Sequence, residues 1–208
     1  MTLARESFTD APPLHLRFMD VAAAVECAQP TLREALALLY APAVETTAAP
    51  ATYTYHITPE GDIWQGTGCQ KTHLAGGEQT GQLTHALLFS TLASRVRSHW
   101  LLHAAALSTA NGGVLLAGSS GAGKTTLALA LAQRGFGWHS DEVAALARNN
   151  GCLESFPRMA LLRPGTLRLL PQLHGAIQPW PLHEDDAIGC WQPVIIGQPS
   201  PLRYVFLL

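Results

Sequence analysis

The chain has 208 residues, of which 48% are hydrophobic and 13% charged, and its formal net charge is -2 at pH 7. This composition can bury a sizeable core and excludes wholesale disorder. The near-neutral charge provides no global basic field, so we expect neither a nucleic-acid partner nor a membrane partner.

The cysteines and the apolar segments predict a cytoplasmic protein. The cysteines form no Cys-x-x-Cys pair, which favours reduced and mostly buried thiols; they are Cys27, Cys69, Cys152 and Cys190. The N-terminal sequence MTLARESFTDAPP lacks the apolar stretch of a secretory signal. The most apolar window, residues 101–117, is too short and too broken to span a bilayer.

The first part of the chain, residues 1–98, predicts a small α+β region that recognises substrate or packs against the rest. Residues 31–40 predict a helix, with Thr31 as its cap, Glu34 closing a capping box and Pro42 ending it. An alternating pattern at residues 53–57, followed by a turn and residues 63–65, predicts a strand hairpin. Helical spacing at residues 82–97 predicts a second helix.

The second part, residues 99–208, predicts a nucleotide-binding core of short strands around an Ala- and Leu-rich helix. Its segments are an apolar run at 101–107, a helix at 125–134 and strands at 114–117, 143–147, 159–162 and 204–208. The proline-rich stretch 171–201 predicts an irregular path over the surface. The chain stops inside an apolar run, which leaves a natural end and a missing C-terminal piece both open.

A glycine-rich loop at residues 118–125 is the strongest functional signal. Its sequence GSSGAGKT meets the pattern Gly-x-x-x-x-Gly-Lys-[Ser/Thr] between a predicted strand and a predicted helix. In that context backbone N–H groups face phosphate oxygens, Lys124 reaches the β- and γ-phosphates, and Thr125 ligates Mg²⁺. We therefore expect ATP and Mg²⁺ as cofactors, held by Gly118, Ser119, Ser120, Gly121, Ala122, Gly123, Lys124, Thr125 and Thr126.

An acidic pair, Asp141 and Glu142, follows the predicted loop helix. The next strand can lie beside the loop strand, so that both open at the carboxyl edge where open α/β sheets bind ligands. One carboxylate there can act as a base and another can hold Mg²⁺, with a solvated turn as the alternative. His103 lies in the apolar run LLHAAAL, where a buried core histidine is commoner than a catalytic one.

The segment from 102 to 142 resembles the HPr kinase/phosphorylase group and its smaller kinase-like relatives. The shared frame is a histidine in an apolar strand, the run GVLLAGSSGAGKTTLALALAQRG, and an acidic pair after a short strand. The resemblance implies an α/β fold with a P-loop kinase core of the HPr kinase and phosphoenolpyruvate carboxykinase type. It also implies transfer of the γ-phosphoryl group of ATP to a hydroxyl, usually of serine, on a protein or peptide.

Carried over by position, the resemblance implies roles for individual residues. Asp141 looks like the catalytic base, His103 like its neighbour, and Glu142 like the metal-side carboxylate, although the family usually has Asp there. The segment FPR resembles one in the smaller relatives and places its Arg158 near phosphate, while a surface arginine is nearly as good an interpretation. The C-terminal part has no match to the part of the bacterial enzymes that performs the reverse phosphorylase reaction, so the expected activity is that of a kinase.

Other functions also fit the loop. A small-molecule kinase of the shikimate or gluconate type places carboxylates after the loop helix too, but usually begins with the loop. A nucleotide-dependent switch or ATPase would transfer phosphate only to water, and a degenerate module would bind nucleotide without turnover. The acceptor, the choice of ATP over GTP, and the oligomeric state, including a homo-oligomer, stay open.

We predict that Lys124→Ala abolishes nucleotide turnover, because the change removes the ammonium group that neutralises the β- and γ-phosphates. A turnover assay with Mg²⁺ and γ-labelled ATP measures the loss. Lys71→Ala is the matched control, since Lys71 is the only other lysine in the sequence. Unchanged turnover in Lys124→Ala would contradict the assignment of the loop.

Overall fold

A computed structural model describes residues 11–46, 50–67, 70–75, 81–182, 187–193 and 195–208. Within these ranges the protein is a mixed α/β structure with three sheets and few helices. None of the described helices combines the length and apolar character needed to cross a bilayer. Cys27, Cys152 and Cys190 are free thiols, and Cys69 lies outside the described residues.

The first sheet has five strands in the order β1-β2-β3-β4-β5. Only β2 and β3 are parallel, because helix α1 carries the chain across between them; the other neighbours are antiparallel. The predicted hairpin is confirmed as β3 and β4. The elements are β1 (Leu14–Phe18), β2 (Val21–Cys27), α1 (Pro30–Leu39), β3 (Tyr53–Ile57), β4 (Ile63–Thr67), β5 (Gln70–Ala75) and α2 (Gly81–Ala93).

Helix α1 confirms the predicted first helix but begins differently. Its cap is Gln29, which makes no capping side-chain hydrogen bond, and Pro30 takes the first helical position. Proline suits that position because its ring fixes φ and its missing N–H would have no partner there. The predicted capping box with Thr31 is therefore wrong.

Helix α2 ends at Ala93, before the predicted end at residue 97. The carboxylate of Asp20 accepts hydrogen bonds from the backbone N–H groups of Arg97 and Ser98, at 3.1 and 3.2 Å. It also accepts a hydrogen bond from the Ser98 hydroxyl at 2.7 Å. These bonds hold the chain in a turn, so the helical spacing of the sequence overestimates the length of the helix.

The remaining elements form two further sheets and two helices. A seven-stranded sheet has the order β6-β10-β11-β15-β8-β7-β9, in which only β15 and β8 are parallel, and a three-stranded sheet has the order β12-β14-β13. The elements are β6 (His99–His103), β7 (Ala105–Thr109), β8 (Gly112–Ala117), α3 (Lys124–Ala132), β9 (Gly137–Ser140), β10 (Val143–Ala147), β11 (Cys152–Glu154), β12 (Ala160–Leu162), α4 (Pro164–Leu169), β13 (Ile177–Pro179), β14 (Gly189–Trp191) and β15 (Ser200–Leu207).

The strand after helix α3 does not lie beside the loop strand. Strand β7 pairs with both β8 and β9 and separates them. Since both run antiparallel to β7, they are parallel to each other and their carboxyl ends open at the same edge. The predicted neighbour is wrong, but β8 and β9 still end at the same edge of the sheet, as expected.

Two other segments differ from the expectations. The apolar run 101–107 is divided at Ala104, whose N–H donates to the carbonyls of Leu102 at 2.9 Å and Glu142 at 3.1 Å. Strand β6 on one side pairs with β10, and β7 on the other pairs with β8. The stretch 171–201 is less irregular than predicted, because it contains β13 and β14. Pro179 is tolerated there, since it ends an edge strand.

One apolar core joins the five-stranded sheet to the second part of the chain. The Phe156 ring stacks on Phe18 at 5.7 Å between centroids and meets Phe89 edge-on at 5.9 Å. A second core lies between the seven-stranded sheet and α3, where Leu116 packs with Leu129. The strands of the five-stranded sheet lie within residues 14–75, and those of the seven-stranded sheet lie within residues 99–207. The division of the chain into two regions at residue 98 stays a prediction.

We predict that Phe156→Ala lowers the free energy of unfolding by about 3–5 kcal/mol, because the lost ring leaves a cavity where both parts of the chain meet. Urea denaturation followed by fluorescence measures the change. Phe206→Ala is the control; Phe206 is 52% exposed, and its loss should change stability by less than about 1 kcal/mol. Similar losses in the two variants would refute the shared core.

Candidate functional site

The glycine-rich loop, residues 118–125, connects the buried strand β8 to helix α3. Gly121 and Gly123 have φ of 82° and 92°, a conformation that a side chain would strain. Gly123 is also the cap of α3. The backbone therefore turns sharply into the helix, and the helix N-terminus with its partial positive charge faces the loop. Such an end suits an anion such as phosphate.

The side chain of Lys124 is held at the loop. Its ammonium group donates to the carbonyls of Gly118 and Ser119, both at 2.9 Å, and the residue is only 7% exposed. A lysine on a surface helix would extend into water instead. The loop thus carries a fixed positive charge where the sequence predicts contact with phosphate.

The acidic pair occupies the short turn between β9 and β10. The Ser140 hydroxyl accepts hydrogen bonds from the backbone N–H groups of Glu142 and Val143, at 3.3 and 3.1 Å. This side-chain to backbone bonding fixes the turn and orients the acidic residues. Sequence reasoning missed Ser140, although a serine directly before an acidic pair at a strand end is a recognisable turn signal.

A hydrogen bond joins the loop to the acidic turn. The Thr125 hydroxyl donates to Oδ2 of Asp141 at 3.1 Å, and Asp141 is 5% exposed. The alternative of a solvated turn is therefore wrong for Asp141. The structure brings together two side chains, Thr125 and Asp141, that the sequence separates by a helix and a strand.

Arg158 completes a cluster of charges in which Arg158 and Asp141 are buried and the Glu142 side chain is half-exposed. Its guanidinium forms an ion pair with Glu142 and lies 3.9 Å from Oδ1 of Asp141. The residue is 7% exposed, so the interpretation as a surface arginine is wrong. Its segment is anchored on both sides, because Phe156 N–H donates to the His139 carbonyl at 3.1 Å and Met159 N–H to the Leu39 carbonyl at 2.8 Å.

Burial and neighbouring charges together set the pKa values of Asp141 and Arg158. Loss of water around Asp141 raises the pKa of its carboxyl from 3.8 to about 6, although the positive charge of Arg158 acts in the opposite direction. Burial alone would lower the pKa of Arg158, but Glu142 and then Asp141 raise it. The cluster therefore combines a permanently charged arginine with a carboxylate that titrates near neutral pH.

His103 lies at the same edge but is not buried. It ends strand β6 opposite Val143, the residue that follows the acidic pair. Its side chain is exposed, so the interpretation as a buried core histidine is wrong. The backbone register brings His103 beside the acidic turn.

Tyr40 is a neighbour of the site that the sequence did not indicate. It caps the C-terminal end of α1 and is fully buried, and burial raises the pKa of its hydroxyl above the usual range. Arg158 and Glu142 both act on it electrostatically. A residue more than one hundred positions away along the chain leaves no local signal, so only the fold could reveal this contact.

The side chains that could hold Mg²⁺ are Thr125 and the two carboxylates of Asp141 and Glu142. In the described ranges, no group of three or more His, Cys, Asp or Glu side chains converges on a common point. Mg²⁺ in phosphate-binding sites usually takes one or two carboxylates together with substrate phosphates and water. The donors present here fit that type of site.

The sequence was compared with protein-family models and with curated proteins. No family model matches the sequence. No curated protein matches it significantly either. The functional interpretation therefore depends on the motif and on the geometry of the charged cluster formed by Asp141, Glu142 and Arg158.

We predict that Asp141→Asn stabilises the protein above about pH 6. The folded carboxyl has a pKa of about 6 and the unfolded one 3.8, so the wild type loses stability as the pH rises between these values, because the buried group must ionise. Asparagine avoids that cost, and the gain at about pH 8 should be about 1–3 kcal/mol and vanish below about pH 4. Urea denaturation across this pH range measures it.

The control for this measurement is Asp20→Asn. Partial burial would raise the pKa of Asp20, but the hydrogen bonds from Ser98 and Arg97 lower it. Its charged form therefore stabilises the fold, and the substitution should reduce stability at the same pH. If Asp141→Asn also reduces stability at all pH values, burial does not penalise the Asp141 charge.

Proposed function

We propose that the protein is an ATP-dependent kinase that transfers the γ-phosphoryl group to a hydroxyl, most often of serine, on a protein or peptide. The observation that carries the proposal is the hydrogen bond from Thr125 to Asp141. It joins the loop that suits polyphosphate to a carboxylate that suits proton transfer. Phosphoryl transfer needs these two functions side by side and little other covalent chemistry from the protein.

In this proposal the loop and Lys124 neutralise the phosphates. Thr125 and Glu142 would hold Mg²⁺, which would supply charge neutralisation at the transferred group. Lys124 is already fixed by the loop carbonyls, and Glu142 is fixed by Arg158 and by the turn around Ser140. Groups held in place before the reaction stabilise developing charge without reorganisation.

Asp141 accepts the proton of the attacking hydroxyl. A general base works best when its pKa lies near the working pH, and burial brings the pKa of Asp141 to about 6. His103 stands at the edge where the acceptor would enter, since it is exposed and opposite Val143. Arg158 balances the carboxylates and adds positive charge close to the γ-phosphate.

The proposal extends to the fold type and the location. The order of loop strand, glycine-rich loop and helix, with the acidic turn at the same sheet edge, fits a P-loop kinase core of the HPr kinase and phosphoenolpyruvate carboxykinase type. The N-terminal region would then contribute through Tyr40, which approaches the cluster from α1. We place the kinase in the cytoplasm.

We predict that Asp141→Asn lowers phosphoryl transfer about 10²- to 10⁴-fold, because asparagine cannot accept the proton. Its affinity for ATP should stay within a few-fold of wild type. The assay incubates each protein with Mg²⁺, γ-labelled ATP and serine peptides, sugars or buffer alone. Asp62→Asn is the control, because Asp62 lies in the turn between β3 and β4 of the five-stranded sheet, whereas the acidic turn joins two strands of the seven-stranded sheet.

The labelled product distinguishes the candidate functions from one another. Label on a serine supports the proposal, label on a sugar supports a small-molecule kinase, and free phosphate alone supports an ATPase. Full transfer by Asp141→Asn would show that Asp141 is not the base. If Asp141→Asn instead only raises the Mg²⁺ requirement while Glu142→Gln abolishes transfer, the two carboxylates exchange roles.

A further inference from the structure

A groove runs beside the glycine-rich loop, between helices α3 and α4. It has a volume of about 640 Å³, within the range of small-molecule sites. Gly121 and Gly123 form its end at the loop. Along its sides lie Leu127 and Ala130 of α3 and Arg168 and Leu169 of α4.

The walls of the groove are apolar and carry one cation. Leu169 is 72% exposed and Leu127 is 37% exposed, so two aliphatic side chains face solvent across the groove. Arg168 is its charged residue, and among the described lining residues there is no carboxylate. These surfaces suit a flat, partly apolar ring close to negative charge, since guanidinium groups stack on aromatic rings and pair with phosphate.

The walls are also held in place. The hydroxyls of Thr126 on α3 and Thr166 on α4 share a hydrogen bond of 3.2 Å. Beyond the helices, the Gln172 amide donates to Gln133 at 2.5 Å. A groove fixed in this way can accept a ligand at a small cost in ordering its own side chains.

Bare backbone borders the groove at the loop. A Cβ atom placed on Gly121 or Gly123 would meet no atom within 4 Å, and one on Gly165 would meet only Arg168 Nη2 at 3.8 Å. A ligand can therefore pass from the loop into the groove without meeting a side chain at these three positions.

Two neighbouring residues of α3 give the direction of a bound triphosphate. Consecutive helical residues point about 100° apart, and here Thr125 bonds to the acidic turn while Thr126 bonds to α4. A triphosphate lying across this helix N-terminus with its γ end at Asp141 would have its other end at the groove.

We propose that this groove binds the purine nucleoside of the nucleoside triphosphate, with the base between Leu127 and Leu169 and Arg168 beside it. This inference rests on the proposed function, because it assumes that the loop holds the phosphates. It assigns nucleoside recognition to α4, a segment outside the loop and the acidic turn.

Calorimetry with ATP, GTP, CTP and inorganic tripolyphosphate, each with Mg²⁺, tests the proposal. Wild type should bind ATP or GTP at least tenfold more tightly than tripolyphosphate, and more tightly than CTP, whose smaller base covers less of the walls. Ala130→Trp fills the groove and should weaken purine nucleotide binding tenfold or more, while tripolyphosphate affinity changes less than threefold. Leu169→Asn, which removes an exposed wall and leaves the core intact, should act in the same direction.

The control is Ile195→Asn, which makes a similar change at a half-exposed aliphatic residue outside the groove. This variant should bind both ATP and tripolyphosphate with wild-type affinity. If tripolyphosphate binds as tightly as ATP, or both groove variants retain full ATP affinity, the nucleoside assignment is overturned while phosphate binding by the loop stands. If wild type binds none of the four compounds, the proposed function fails as well.

Discussion

The hydrogen bond between Thr125 and Asp141 is the contact on which the rest of the site depends. It connects the first turn of α3 to the end of β9, and so fixes the distance between the glycine-rich loop and the acidic turn. Asp141 is buried and Thr125 is partly buried, so water competes less for this bond than it would at an exposed site. Arg158 and Ser140 then hold Glu142 relative to the same point. Separating the loop from the turn would remove the hydrogen bond from the Thr125 hydroxyl to the buried carboxylate of Asp141.

Local features of the site could be predicted from the sequence, and long-range ones could not. The strand, loop and helix around residues 112–132 follow from adjacent residues, and the structure has them in the predicted order. The order of strands in the seven-stranded sheet depends on which distant segments pair, and so β7 between β8 and β9 was unforeseen. Arg158 shows the same limit, because its burial depends on a core that residues 14–46 help to build.

The N-terminal part of the chain, which forms the five-stranded sheet, helps to position the charged residues of the site. The rings of Phe18 and Phe89 contact Phe156, which lies two residues before Arg158. On the other side of Arg158, the N–H of Met159 donates to the Leu39 carbonyl. The position of the arginine is therefore set from the first part of the chain. A change in the packing of α1 would be transmitted to the charged cluster through backbone and aromatic contacts, since close-packed interiors respond as a unit.

The hydrogen bonds of Lys124 have a consequence for affinity. The ammonium group already has two carbonyl acceptors in its own loop, and these hydrogen bonds use two of its three protons. A phosphate oxygen that accepts only the third proton leaves the loop bonds intact. An oxygen that accepts a further proton must displace a neutral carbonyl, and the enthalpy gained there is only the difference between an anionic and a neutral acceptor. The carbonyls that hold the side chain in place therefore limit how many of its protons can contact a bound anion.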